Sequence, residues 1–142
     1  MSTEPDGLRI ARTLDAPRER VYRAWTDAAD MARWNSPADG MTLSIEALDV
    51  RVGGRYRTGF GMPGEVPMVE AGEYREVVPG ERLVFDSTLS RGGAVLSRTR
   101  CTVEFFDRGR RTQLVVAEEG DGAGEHAGGW GHAFDRLAGL LA

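Results

Sequence analysis

The sequence predicts an α+β domain in which a curved antiparallel sheet of six to seven strands wraps a long C-terminal helix. Residues 43–117 alternate apolar and polar side chains between turns, the pattern of a meander with one dry face. Leu43, Ile45 and Ala47 are predicted to share that face in its first strand. A helical stripe over residues 123–142 can cover it. The stripe consists of Trp130, Phe134, Leu137 and Leu141.

The N-terminal segment predicts one strand and then two short helices. Residues 8–15 alternate apolar and polar side chains, as a strand with one buried face does. Pro17 suits the first turn of a helix over residues 17–25, because its missing N–H costs nothing there. Thr26-Asp27 offers an N-cap for a second predicted helix that ends near Trp34.

Glycines in the last segment leave the start of its helix open. Gly128, Gly129 and Gly131 surround Trp130, and each glycine inside a helix costs about 1 kcal/mol. Either the helix runs through residues 123–142, with the sheet or a ligand approaching its backbone closely, or it starts near Trp130.

The strand over residues 68–78 leaves the direction of its carboxylates open. Met68 and Glu70 share one parity and Glu73 has the other, so either register points an acid inward. A buried acid must be paired or neutralised. Such an acid could anchor a ligand's polar end or act as a general acid or base. Alternatively, it sits at the mouth of the fold and pairs with an arginine such as Arg57.

Composition argues against several classes of protein. The net charge is −4 and the pI about 5.2, with 18 basic residues, all arginine, among 22 acidic ones, which does not favour nucleic-acid binding. No apolar run is long enough for a membrane span. The single cysteine fits a reducing, cytoplasmic location. No phosphate-binding or zinc motif occurs, so we expect no cofactor and no metal.

Four segments resemble one known family. They are LDAPRERVYRAWTDAADMARW at 14–34, RVGGRYR at 51–57, GEYREVVPGERLVF at 72–85 and GWGHAFDRLAGLLA at 129–142. In this order they resemble the Aha-type family, whose members are related to the activator of the heat-shock protein 90 ATPase. That family belongs to the START-like (SRPBCC) superfamily of helix-grip proteins. The resemblance implies a single START-like domain over residues 8–142 of a bacterial protein, after a flexible N-terminal segment at 1–7.

The superfamily's shared feature is a cavity between the sheet and the final helix. The resemblance and the inward parity of the strands together suggest a set of ligand-binding residues, although the same side chains could pack a solid core. The candidates are Trp25, Trp34, Tyr56, Thr58, Phe60, Met62, Met68, Glu70, Glu73, Phe85, Cys101, Val103, Trp130 and Phe134. Cys101 fits a small buried hydrophobe better than a nucleophile. His126 and His132 lie on different helical faces, so each is predicted to be solvated.

Three functions follow from this reading. The first is a binding protein for a small apolar or amphipathic molecule. The second is a cyclase or dehydratase that uses an acid inside the cavity. The third is a co-chaperone-like interaction domain. A homodimer is compatible with each of them, and the sequence identifies no ligand.

Overall fold

The computed structural model describes residues 7–36 and 38–142, with the side chains of residues 125 and 127 outside that description. The strands are β1 (Gly7–Leu14), β2 (Thr42–Leu48), β3 (Arg55–Gly61), β4 (Met68–Val78), β5 (Arg82–Arg91), β6 (Ala94–Arg108) and β7 (Arg111–Gly120). The helices are α1 (Arg18–Thr26), α2 (Ala28–Trp34) and α3 (Ala127–Leu141). A 3-10 turn, Ala123–His126, precedes α3.

The strands form one antiparallel sheet in the order β1-β7-β6-β5-β4-β3-β2. β1 and β2 are therefore the two edges, and the helices α1 and α2 connect them. This arrangement of seven strands, two short helices and a final helix confirms the predicted fold class. Residues 1–6 of the predicted flexible segment lie outside the described residues, and Gly7 begins β1.

The two short helices form where the sequence predicts them, although α1 begins and ends one residue later than the predicted range 17–25. Pro17 is the N-cap of α1, with an extended backbone at φ −70° and ψ 159°. The Asp27 side chain accepts a hydrogen bond from the Asp30 N–H and so caps α2. The indole N–H of Trp34 donates to the Ala24 carbonyl at 2.8 Å. Because that indole is buried, this bond fixes α2 against α1.

Register shifts in the sheet change which side chains face inward; besides the two described here, a third lies between Leu89 and Ser90 of β5. The register of β2 shifts between Ile45 and Ala47, so the prediction that these two residues share a face is wrong. Ala47 is exposed and Leu48 packs against the core instead. A second shift follows Tyr74 in β4, after which Val77 contacts the core. One additional residue reverses the parity of every residue beyond it.

The final helix begins between the two positions that the sequence left open. α3 starts at Ala127 and has 15 residues, so it is about 22 Å long. The close approach of the sheet, which the longer of the two predicted helices would have required, is absent at three of the helix's glycines. A Cβ added at Gly128, Gly131 or Gly139 would meet nothing within 4 Å.

A dense aromatic cluster fills the space between α1, α2, α3 and one end of the sheet. The ring centroids of Trp25 lie 4.8 Å from Trp34 and 5.9 Å from Trp130. Phe134 and Leu137 of α3 are fully buried in the same cluster. α3 packs most closely against α2 and β1, which leaves it further from the strands at the centre of the sheet.

Candidate functional site

A cavity of about 240 Å³ lies between the concave face of the sheet and the start of α3. Its wall consists of Asn35, Thr58, Phe60, Met68, Glu70, Ser87, Leu89, Ser97, Thr99, Glu118, His126, Gly129, Trp130 and Ala133. Pockets for drug-sized ligands measure about 300–1,000 Å³. The space therefore suits a smaller molecule.

The cavity exists because the inward side chains become small and polar at one end of the sheet. In β5 the inward side chain changes from Phe85 to Ser87, and in β6 it changes from Cys101 to Thr99. Ser87 and Thr99 are direct cross-strand partners, so the two reductions in volume coincide. Glu118 occupies the corresponding end of β7. Large apolar side chains at these levels would have closed the space.

Glu70 is the carboxylate that β4 directs inward. Its Oε2 accepts hydrogen bonds from the Tyr56 hydroxyl at 2.9 Å and from the Ser87 hydroxyl at 2.8 Å. Burial raises the pKa of the Glu70 carboxyl, these two donors oppose that rise, and the neighbouring Glu118 adds to it. Among the described residues none donates to Oε1. The second oxygen therefore remains available to a ligand.

Glu118 joins the end of β7 to the start of α3. Its Oε2 accepts from the Thr99 hydroxyl at 3.2 Å. Its Oε1 lies 2.6 Å from Nδ1 of His126 and accepts from the Trp130 indole N–H at 3.4 Å. Only 6% of Glu118 is exposed, so this carboxylate is satisfied inside the protein, as a buried charge must be.

His126 corrects one prediction about the histidines. It is part of the cavity wall and only 27% of its side chain is exposed, so the predicted solvated position is wrong. The 3-10 turn before α3 brings its ring back toward β7. His132 lies elsewhere and is also only 27% exposed, with its Nε2 buried 3.3 Å from the Asp39 carboxylate, so its predicted solvated position is wrong as well.

Five predicted site residues line the cavity, and a sixth supports it. The lining residues are Thr58, Phe60, Met68, Glu70 and Trp130. Tyr56 lies behind Glu70 and reaches it through its hydroxyl. The sequence left open which side of β4 faces inward, and in the structure it is the side that carries Glu70. The alternative pairing with Arg57 is wrong, because Arg57 donates to Glu46 on the other face.

The remaining predicted residues lie away from the cavity. Six of them are buried in the packed core, where the helices cover the filled end of the sheet: Trp25, Trp34, Phe85, Cys101, Val103 and Phe134. Met62 is 41% exposed at the end of the sheet. Glu73 faces outward and pairs with Arg75 at 3.5 Å. Sequence reasoning missed Ser87, Leu89, Ser97, Thr99, Glu118 and His126, all of which line the space.

Two further chemical features limit what the described residues can do. Cys101 is completely buried, and burial raises the pKa of its thiol, which disfavours the reactive thiolate. In ranges 7–36 and 38–142 no three His, Cys, Asp or Glu residues are grouped to hold a metal ion. No helix in these ranges is both long and apolar enough to cross a bilayer.

Comparisons with known proteins place the chain in a family. A protein structure from Chromobacterium violaceum is 30% identical, with a TM-score of 0.87 over 97% of this chain and 98% of its own. One from Rhizobium loti is 29% identical, with a TM-score of 0.81 over 95% and 96%. A solution structure from Arthrobacter aurescens, 18% identical with a TM-score of 0.84 over 99% and 89%, shares the fold. None of these names states a ligand.

Residues 15–142 match the family model described as activator of Hsp90 ATPase homolog 1-like protein. Curated proteins provide no match to the chain. The matched range spans nearly all of the described elements, from the end of β1 to the end of α3. The chain therefore belongs to the activator of Hsp90 ATPase homolog 1-like family, and its sheet and final helix have the START-like, helix-grip architecture.

Proposed function

We propose that residues 8–142 act as one binding domain that holds a small, partly apolar molecule in the cavity between the sheet and α3. The observation that carries this proposal is the division of the cavity wall into an apolar side and a hydrogen-bonding side. Phe60, Met68, Leu89 and Trp130 form the apolar side. Such a wall contributes about 25 cal/mol for each Å² of apolar ligand surface that it removes from water.

The polar side of the wall orients the bound molecule. Glu70 offers a free carboxylate oxygen, and the Thr58 hydroxyl lies in the same wall. A ligand with one polar end and one apolar end satisfies both sides, whereas a purely apolar ligand would leave the buried polar groups without partners. We therefore expect an amphipathic ligand rather than a hydrocarbon.

Filling the cavity tests this proposal. Ser97 is 7% exposed and lines the space, so Ser97→Phe places an aromatic ring where the ligand would lie. We expect the unmodified protein to bind phenethyl alcohol in saturation-transfer NMR and the variant to lose at least about tenfold in affinity.

The matched control for this experiment is Ser44→Phe, at an exposed position of β2, which should bind like the unmodified protein. Both variants must keep the cooperative thermal unfolding of the parent. If Ser97→Phe folds and still binds as tightly as the parent, the ligand does not occupy this cavity.

Acid–base catalysis is a second candidate function, favoured by the titratable groups that converge on the cavity. A dehydratase would use Glu118 and His126 to remove a proton next to a carbonyl, while Glu70 protonates the leaving hydroxyl. The C–O bond breaks, a C=C bond forms and water leaves. Burial raises the pKa of the Glu70 carboxyl, which favours the protonated form that a general acid needs.

An absorbance assay tests the catalytic alternative. The β-hydroxy ketone that loses water to give benzylideneacetone is incubated with the protein and with Glu70→Gln. Catalysis predicts enone formation above the buffer rate that the variant abolishes. A rate equal to buffer for both proteins contradicts dehydration of this substrate class and leaves binding as the function.

A further inference from the structure

We propose that the ligand of this cavity carries a cationic amine that binds Glu70, and that the cavity excludes ligands with a carboxylate head. This inference rests on the proposed binding function and names the chemistry of its ligand. Its basis is the charge of the cavity wall, the geometry of one carboxylate and the position of the aromatic rings.

The charge of the cavity wall is mainly negative. Glu70 and Glu118 line it, and the other titratable side chain of its described wall, His126, is already engaged with Glu118 at 2.6 Å. All 18 basic residues of the chain are arginines, yet none of them lines the cavity within the described ranges. A fatty acid or other carboxylate would lie beside two acids without an arginine partner, which is unfavourable in a low-dielectric space.

The geometry of Glu70 also favours a donor. Both nearby hydroxyl donors, Tyr56 and Ser87, are directed to Oε2. They hold the carboxyl group in place and have no second hydrogen left for a ligand. Oε1 receives no hydrogen bond from the described residues. The ionised carboxylate accepts a hydrogen bond at this point. An ammonium group donates that bond, and its positive charge favours the ionised form of Glu70.

Aromatic rings border the same space and suit the rest of the molecule. Phe60 and Trp130 both line the cavity. Trp130 is held in place because its ring stacks on Trp25 and its indole N–H donates to Glu118. Such fixed rings contact an aryl or alkyl group without a large loss of side-chain freedom. A small arylalkyl or alkyl amine combines the two requirements within about 240 Å³.

Three probes of similar size and different charge test the proposal. They are phenethylamine, phenethyl alcohol and hydrocinnamate, each titrated into the full chain by calorimetry near neutral pH. We expect the amine to bind at least about tenfold more tightly than the alcohol, which corresponds to about 1.4 kcal/mol. We expect no measurable binding of hydrocinnamate.

Two glutamate variants on the same strand separate charge from packing. Glu70→Gln should lower the affinity for the amine by about tenfold and keep the affinity for the alcohol within about twofold of the parent's. The reason is that charge-assisted hydrogen bonds are stronger than those between neutral groups. Glu73→Gln, on the outer face of β4, should change neither affinity. Thermal unfolding of both variants verifies that each is folded.

The outcomes distinguish this inference from the proposed function. If the alcohol binds and the amine does not bind more tightly, or if hydrocinnamate binds as well as the amine, the amine inference is wrong and binding in the cavity remains. Equal losses of amine and alcohol affinity in Glu70→Gln also overturn the inference. If none of the three probes binds, both proposals fail.

Discussion

The concave face of this sheet has a packed half and a hollow half, and the same strands build both. In the packed half the inward residues are large and apolar, such as Leu83, Val103 and Leu114, and all three are fully buried. In the hollow half the inward positions of the same strands hold Ser87 and Glu118, among other polar residues. α3 crosses both halves, so the strand side chains determine where the interior is open.

The difference shows that one half of the sheet stabilises the fold while the other half lines the cavity. Phe134 and Leu137 of α3 meet apolar strand residues and lose contact with water completely. Trp130 and Ala133, one helical turn earlier, face the open space instead. Removing a side chain from the packed half should therefore cost stability, whereas changing one in the hollow half should chiefly alter the site.

The largest effect is expected in the packed half, from Phe134→Ala. Phe134 is fully buried against Trp25 and Trp130, so the change leaves a void and should lower the free energy of unfolding by about 3–5 kcal/mol. Chemical denaturation measures this loss. Phe106→Ala, at a position that is 37% exposed, is the control and should cost far less. A loss below about 1 kcal/mol for Phe134→Ala would mean that this half is not tightly packed.

A smaller loss is expected in the hollow half, from Glu118→Ala, because Glu118 also holds the start of α3. The change removes the acceptor for Thr99, His126 and Trp130. Leaving such groups unsatisfied costs about 1–3 kcal/mol. Hydrogen exchange should also speed up around residues 123–130, because Glu118 fixes the start of α3. Glu119→Ala, at the exposed neighbouring position, should leave both measurements unchanged; equal exchange in the two variants would contradict the role assigned to Glu118.

The fold could be predicted from sequence because each element depends on local patterns. Alternation identified the strands, Pro17 and Asp27 marked the starts of the helices, and the stripe led by Trp130 identified α3. The β-bulges could not be predicted, since an additional residue leaves no periodic signal. Ala47 was assigned to the wrong face for that reason.

The candidate site was predicted only in part because its most informative positions are polar. Thr58 and Glu70 were predicted because they have the same parity as apolar neighbours in their strands. Ser97, Thr99 and Glu118 continue the same inward parity beyond Cys101 and Val116 but are not apolar, so a search for apolar residues stops before them. A polar residue that takes the place of a large apolar one at the same parity is the signal that could have located the cavity.

The stability difference between the parent and Glu70→Gln should depend on pH, and this dependence tests whether the hollow half buries its carboxylate. The carboxyl pKa is raised in the folded protein, so the native state binds this proton more tightly than the unfolded chain. The stabilisation is complete below the unfolded value of about 4.5 and is lost as the pH rises through the folded pKa. Since glutamine does not titrate, the melting temperature of the parent should fall relative to Glu70→Gln over that window, by a few °C.

Differential scanning calorimetry across this range measures the change, and Glu73→Gln on the outer face is the control. A constant difference between the parent and Glu70→Gln at every pH would contradict the assigned burial of Glu70.

The smallest effect is expected on the outer face, from Asp86→Asn. Asp86 lies next to Ser87 but points to the other side of the sheet, where Nε of Arg100 and Nε of Arg75 each donate to it at 2.7 Å. Hydrogen bonds from Arg100, and then from Arg75, lower the pKa of Asp86 to about 2 against the partial burial that opposes them. The ion pairs are partly exposed, so the variant should lose at most about 1 kcal/mol at neutral pH and less in high salt.

The pH dependence of Asp86→Asn should run opposite to that of Glu70→Gln. The ionised Asp86 adds its full contribution to the free energy of unfolding above 3.8, the pKa of this carboxyl in the unfolded chain. That contribution disappears as the pH falls toward 2. Denaturant titrations between these limits measure it, with Asp121→Asn at an exposed position as the control. Slopes of the same sign for Glu70 and Asp86 would mean that the cavity does not desolvate its carboxylates, and the distinction between a wet outer face and a selective interior would be lost.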